Sequence, residues 1–123
     1  MQITDHYQLL ALHRCLLEAK FSPNPWDPDI AGSPIAAVLA NTVVAELAQQ
    51  DSQDWDDWRK IEHHGPMIER LIKGLEKADL THWRTTNDRA TFVTNALAPL
   101  VATPEQTQIL VARIFGDQSF DSQ

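Results

Sequence analysis

His6, His13 and Glu46 are the residues of this chain whose types and spacing come nearest to a reactive set. The two histidines fall two turns apart on one line of the leucine-rich segment Ile3 to Lys20. A histidine on a leucine face must find a hydrogen-bond partner or stay neutral, because burying it charged and unpaired is expensive. If the first two helices pack antiparallel, Glu46 near the end of the second comes close to a histidine near the start of the first. Such a set is the raw material of a metal or acid–base site inside a bundle, with Asn41 a further polar position of the same interior. Glu-x-x-His and His-x-x-x-His, the pairs with which bundle helices grip a metal, are both absent. A paired core histidine and a boundary glutamate are the simpler reading, since buried polar groups are as a rule hydrogen-bonded. No catalytic residue, metal or cofactor is assigned.

A second constellation is Trp55 and Trp58 among Asp54, Asp56 and Asp57, followed by His63 and His64. Tryptophans three apart share a helix face, and each can bury a large area in a core or an interface. As a contact surface, Asp54, Trp55, Asp57 and Trp58 would offer aromatic anchors ringed by carboxylates, suited to a basic protein partner. Adjacent histidines point in different directions on a helix, so His63 and His64 cannot share one metal unaided. A third feature, the basic line Arg70, Lys73 and Lys77 with Arg84 beyond it, is interleaved with Glu69 and Glu76 and reads as a solvated face, Glu69 pairing with Lys73 one turn on.

The elements that must position these residues are helical. The stretch Ser33–Gln50 is the longest apolar run, broken only by Asn41, Thr42 and Glu46, and reads as a helix that others surround. Ser33 is its cap and Pro34 its first residue. Ile35, Val38, Leu39, Val43 and Leu47 are expected as its main apolar face, and Ala37, Ala45 and Ala48 as a shallow second one. Before it, Ile3–Lys20 places Leu9, Leu10, Leu12, Leu16 and Leu17 on one arc with His13 inside. Between the two, the prolines of Phe21–Gly32 stop any helix, and Phe21, Trp26 and Ile30 are expected to pin that loop over the bundle. After them, the spacing predicts a helix starting at Ser52 or Asp54 and running to Gly65–Pro66, then an amphipathic helix with Ile68, Leu71, Ile72 and Leu75 inside. A polar connection over 81–87, a helix from Asp88 to Ala98 stopped by Pro99, and a last helix capped by Thr103 complete the chain. No alternating pattern calls for a strand.

These elements predict an all-α, irregular bundle of five or six helices around the apolar helix 33–50, with residues 1–116 as one domain and 117–123 as a mobile tail. A formal net charge of −7 argues against nucleic-acid binding and against adsorption to an anionic membrane. One cysteine, Cys15, excludes an internal disulfide and fits a reducing compartment, so the cytoplasm is the expected location. The phosphate loop, Cys-x-x-Cys, His-Glu-x-x-His and Gly-x-Ser-x-Gly signatures are missing. The sequence therefore leans away from an enzyme and toward a small regulatory protein that works by contact, with a basic partner or with itself. A His/carboxylate site in the bundle is the alternative, and an acidic inhibitor of a nucleic-acid-binding protein a weaker one.

Overall fold

Four of the helices described start where a side chain satisfies a free N–H group of the first turn. In the computed structural model, which describes residues 3–80 and 88–116, Asp5 opens α1 (His6–Lys20) by accepting from the Gln8 N–H at 3.0 Å. Ser33 opens α2 (Pro34–Gln50), its Oγ accepting from the Ala36 N–H at 3.2 Å. A single turn, α3 (Trp55–Trp58), and a 3-10 turn (Ile61–His63) lead into α4 (Gly65–Leu75). Next come α5 (Arg89–Leu97) and α6 (Pro104–Phe115). At the start of α6 the Thr103 hydroxyl accepts from the Gln106 N–H at 3.1 Å, and the Gln106 side chain accepts from the Thr103 N–H at 2.8 Å. Gly116 ends α6 at φ 76°, a conformation that glycine adopts without steric cost.

Six α-helices and no strand are present among the described residues, an all-α fold. None of the helices is long and apolar enough to cross a membrane. The expected connection over 81–87, with Arg84, and the expected tail, 117–123, lie outside the described residues.

Apolar side chains collect in two clusters. One lies between α1 and α2 and contains Leu9, Val43, Val44, Leu47 and Trp55. The larger joins α4, α5 and α6 through Leu71, Leu75, Phe92, Val93, Leu97, Leu110 and Phe115, with Phe21 and Leu80 from the connections. Trp58 packs against both clusters and is an apolar link between them.

The structure departs from the sequence reading in three places. First, α2 is not surrounded: Ile35, Val38 and Leu39 are 75%, 63% and 49% exposed. The helix turns its small residues Ala36, Ala37 and Ala40 inward, along with Val43, Val44 and Leu47. Alanine lets neighbouring backbones approach closely, so the branched residues of the first two turns are left on the outer arc.

Second, the helix expected to run to Gly65–Pro66 stops after one turn. Lys60 adopts an extended conformation and forms a parallel bridge with Val101. The Val101 N–H donates to the Arg59 carbonyl at 2.7 Å, and the Ile61 N–H donates to the Val101 carbonyl at 3.1 Å. Pairing with a distant segment has replaced local helix.

Third, Phe21 is buried and Ile30 half-buried, but Trp26 is fully exposed, at 104%. It walls an open apolar groove with Cys15, Ala19, Pro25 and Ile30 instead of covering the core.

The proline loop is held by close approach. A Cβ on Gly74 of α4 would lie 2.2 Å from the Ser22 carbonyl oxygen, and one on Gly32 would lie 2.2 Å from the Phe92 ring. Lys77 also donates from Nζ to Asn24 Oδ1. Gly74→Ala is therefore expected to destabilise by about 1–3 kcal/mol, because a backbone carbonyl cannot swing away. Gly65→Ala, with open space around its Cα, should change stability by less than about 1 kcal/mol and in the favourable direction. Urea denaturation midpoints of the two variants check the contrast.

Candidate functional site

The acidic segment after α2 is ordered by its own carboxylates. Asp51 ends α2 and accepts from the Gln53 N–H at 3.1 Å and from the Trp55 indole N–H at 2.8 Å. Asp54 caps α3, accepting from the Asp57 N–H at 3.0 Å. These two aspartates build the turn. Asp56 and Asp57 are exposed and face outward. Asp57 lies 3.3 Å from His63 Nε2 and 3.5 Å from Lys60 Nζ. The hydrogen bond from His63, and then the charges of His63 and Lys60, hold its carboxyl below the usual range, so it is ionised at neutral pH.

Trp55, expected as a contact anchor, is 5% exposed and belongs to the α1–α2 cluster. Trp58 is half-buried. Both rings pack edge-on against His13, with centroids 5.3 and 5.1 Å away, and against each other at 5.3 Å. His64 extends the stack, 4.8 Å from Trp58, and its Nε2–H donates to the Trp58 carbonyl at 2.5 Å.

His13 therefore meets the tryptophans. His6 packs on Tyr7, its neighbour in sequence. Asn41 accepts from Arg59 Nη2 at 2.7 Å, and Arg59 Nε donates to the Pro99 carbonyl at 2.7 Å. Glu46 is half-buried and makes no hydrogen bond or ion pair among the described residues. No group of three or more His, Cys, Asp or Glu among the described residues is placed to hold a metal. On the opposite side of the sequence, Glu69 does not take Lys73, as its spacing suggested, but receives both guanidinium nitrogens of Arg113 at 2.8 and 2.9 Å.

Lys20, the last residue of α1, is only 1% exposed. Its Nζ donates to the Ala31 and Asn95 carbonyls, each at 2.8 Å. The Asn95 bond has a local cause. Four residues further on stands Pro99, which has no N–H to offer that carbonyl, and Lys20 supplies the donor. Burial without a carboxylate partner lowers its pKa to about 8. A signal was present in the sequence, since Lys20 follows Leu9 by eleven residues and His13 by seven, on the same stripe of α1.

Charge is distributed unevenly along the chain. Residues 21–58, which comprise the proline loop, α2 and the acidic turn, carry seven carboxylates and no lysine, arginine or histidine. The ten carboxylates elsewhere are matched by the ten Lys and Arg, so the whole net charge of −7 resides in this one stretch. No family model, curated protein or solved structure matches the chain.

Two titrations test these assignments. Lys20 has a folded pKa near 8, against about 10.4 in an unfolded chain. Its burial cost is present in full below pH 8 and is relieved as pH rises through that interval, because only the unfolded state then holds the proton. Wild type should gain on the order of 3 kcal/mol relative to Lys20→Met between pH 8 and 10.5, read from urea midpoints. His13 runs the other way at acid pH. Burial, aided by the charge of Arg14, depresses its pKa, so stability is lost as pH falls below about 6.5. Tryptophan fluorescence should report that loss in wild type, and its absence in His13→Leu.

Proposed function

We propose that this protein works by contact, binding a basic protein partner through the carboxylate-rich stretch formed by the proline loop, α2 and the acidic turn. The observation that carries this reading is the confinement of the net charge to residues 21–58. A surface of one sign steers and selects partners of the opposite sign, chiefly through the rate of encounter. Within the turn the work is divided. Asp51 and Asp54 fix the backbone, and Trp55 and Trp58 anchor it to the core. Asp56 and Asp57 are left as the outward charges, Asp57 shared with Lys60 and His63. An exposed lone thiol, Cys15, fits a reducing compartment, and the cytoplasm is the location proposed with this reading.

A fluorescein-labelled oligolysine serves as the basic probe. Replacing both Asp56 and Asp57 by Asn should weaken its binding several-fold and flatten its salt dependence, with folding stability within about 1 kcal/mol of wild type. Glu76→Gln with Glu105→Gln removes the same charge from the balanced remainder of the chain and should have less than half that effect. Equal losses in the two double variants would show that only total charge matters, and would refute a localised site.

A further inference from the structure

The outer arc of α2 combines two properties that rarely meet on a solvated helix. Ile35, Val38 and Leu39 form a contiguous exposed apolar patch on its first two turns. Thr42, Ala45 and Glu46 continue the same arc toward the C-terminal end. Surface helices normally bury their apolar stripe and wet the other side, whereas α2 is apolar on both. A contiguous exposed patch of this kind marks an interaction site more often than scattered apolar residues do.

The charges framing that patch decide what fits it. Asp27 and Asp29 precede α2, Glu46 lies on the patch line near its far end, and Asp51, Asp54, Asp56 and Asp57 follow. No positive side chain occurs anywhere in that stretch of sequence. Of the cations brought in from outside, Arg59 is engaged by the Pro99 carbonyl and Asn41, Lys20 by the Ala31 and Asn95 carbonyls and Lys77 by Asn24. Lys60 and His63 lie against Asp57, which leaves Glu46 and Asp56 without a cation among the described residues. Glu46 has no partner among the described residues. A second copy of the chain would set seven carboxylates against seven, and an anionic membrane would be repelled in the same way. No strand and hence no sheet edge is available among the described residues for an extended peptide to join.

We infer that the outer arc of α2 is the docking face for an amphipathic helix of a partner protein, with an apolar face on Ile35, Val38 and Leu39 and Lys or Arg side chains reaching Glu46 and the acidic turn. This deepens the contact reading and rests on it, adding the class of partner and the residues that select it. From Ile35 to Glu46 the arc is about 16 Å long, which matches three turns of a partner helix packed ridge into groove. The apolar contacts give affinity for a helix specifically, and the carboxylates set its charge and orientation.

The probe is a fluorescein-labelled peptide of leucine and lysine, about 18 residues long, with its leucines on one helical face. A shuffled peptide of the same composition has its leucines scattered. Anisotropy titrations are made with wild type, with Val38→Ser/Leu39→Ser, and with Asp56→Asn/Asp57→Asn. Both substituted proteins should keep wild-type circular dichroism, since the altered side chains are exposed. The amphipathic peptide is expected to bind wild type roughly tenfold tighter than the shuffled one. The serine variant should abolish that preference and leave shuffled-peptide binding unchanged.

If the serine variant keeps the full preference, or weakens both peptides equally, the docking face is refuted. In that case a loss in the aspartate variant alone leaves the contact reading standing, and no loss there removes it too. Sedimentation equilibrium of the protein alone supplies the remaining outcome. A dimer that the serine substitutions dissociate would make a second copy the occupant and overturn the proposal.

Discussion

A lysine ammonium held between two carbonyl oxygens fixes how the halves of this protein meet. Lys20 ends α1, Ala31 lies just before α2, and Asn95 lies in the last turn of α5. One nitrogen thus ties the end of α1 and the end of the proline loop, eleven residues apart, to α5, seventy-five residues away from Lys20. The Asn95 carbonyl needs that donor because Pro99 has removed the local one. In its neutral form the amine still has two hydrogens for its two acceptors, so deprotonation leaves both bonds possible while removing the cost of a buried charge. Trp58, packed against both apolar clusters, provides an apolar link between them.

With α1, the proline loop and α5 held in this way, the orientation of α2 follows. Ala36, Ala37 and Ala40, with Val43, Val44 and Leu47, are its buried residues, and α2 packs on α1 and α5. The branched residues of the first two turns have nowhere to go but outward. The acidic turn then runs from the end of α2 into the Trp55–Trp58–His13 stack. An exposed apolar patch and an unbalanced set of carboxylates belong to the same continuous stretch, residues 21–58, and the contact reading grows from their conjunction.

How much of this was legible in the sequence depends on whether the deciding interaction was local. Caps at Ser33 and Thr103, the stop at Pro99 and the leucine arc of α1 are read within a few residues, and the helices they define are present. The length of α3 was not legible, because Lys60 pairs with Val101, forty-one positions away, and that pairing overrides local helical spacing. The sidedness of α2 was ambiguous for a different reason. A helix apolar all round has no preferred face until its neighbours choose one. His6, His13 and Glu46, weighed only as a possible set, are joined by no hydrogen bond or ion pair among the described residues, and Trp55 and Trp58 pack beside His13. Lys20 lay in plain view on the buried stripe, yet a lysine at a helix end is ordinarily a solvated partner for the terminal carbonyls.

The outer arc of α2 is the centre of the account, and backbone amide NMR reads it most directly. The labelled protein is titrated with the amphipathic leucine–lysine peptide, and the shift changes are assigned residue by residue. The account predicts changes concentrated at Ile35, Val38, Leu39, Thr42, Glu46 and Asp54 to Asp57, with α4 and α6 unmoved. Changes centred on Arg70, Lys73 and Lys77, or spread evenly over the surface, would contradict it.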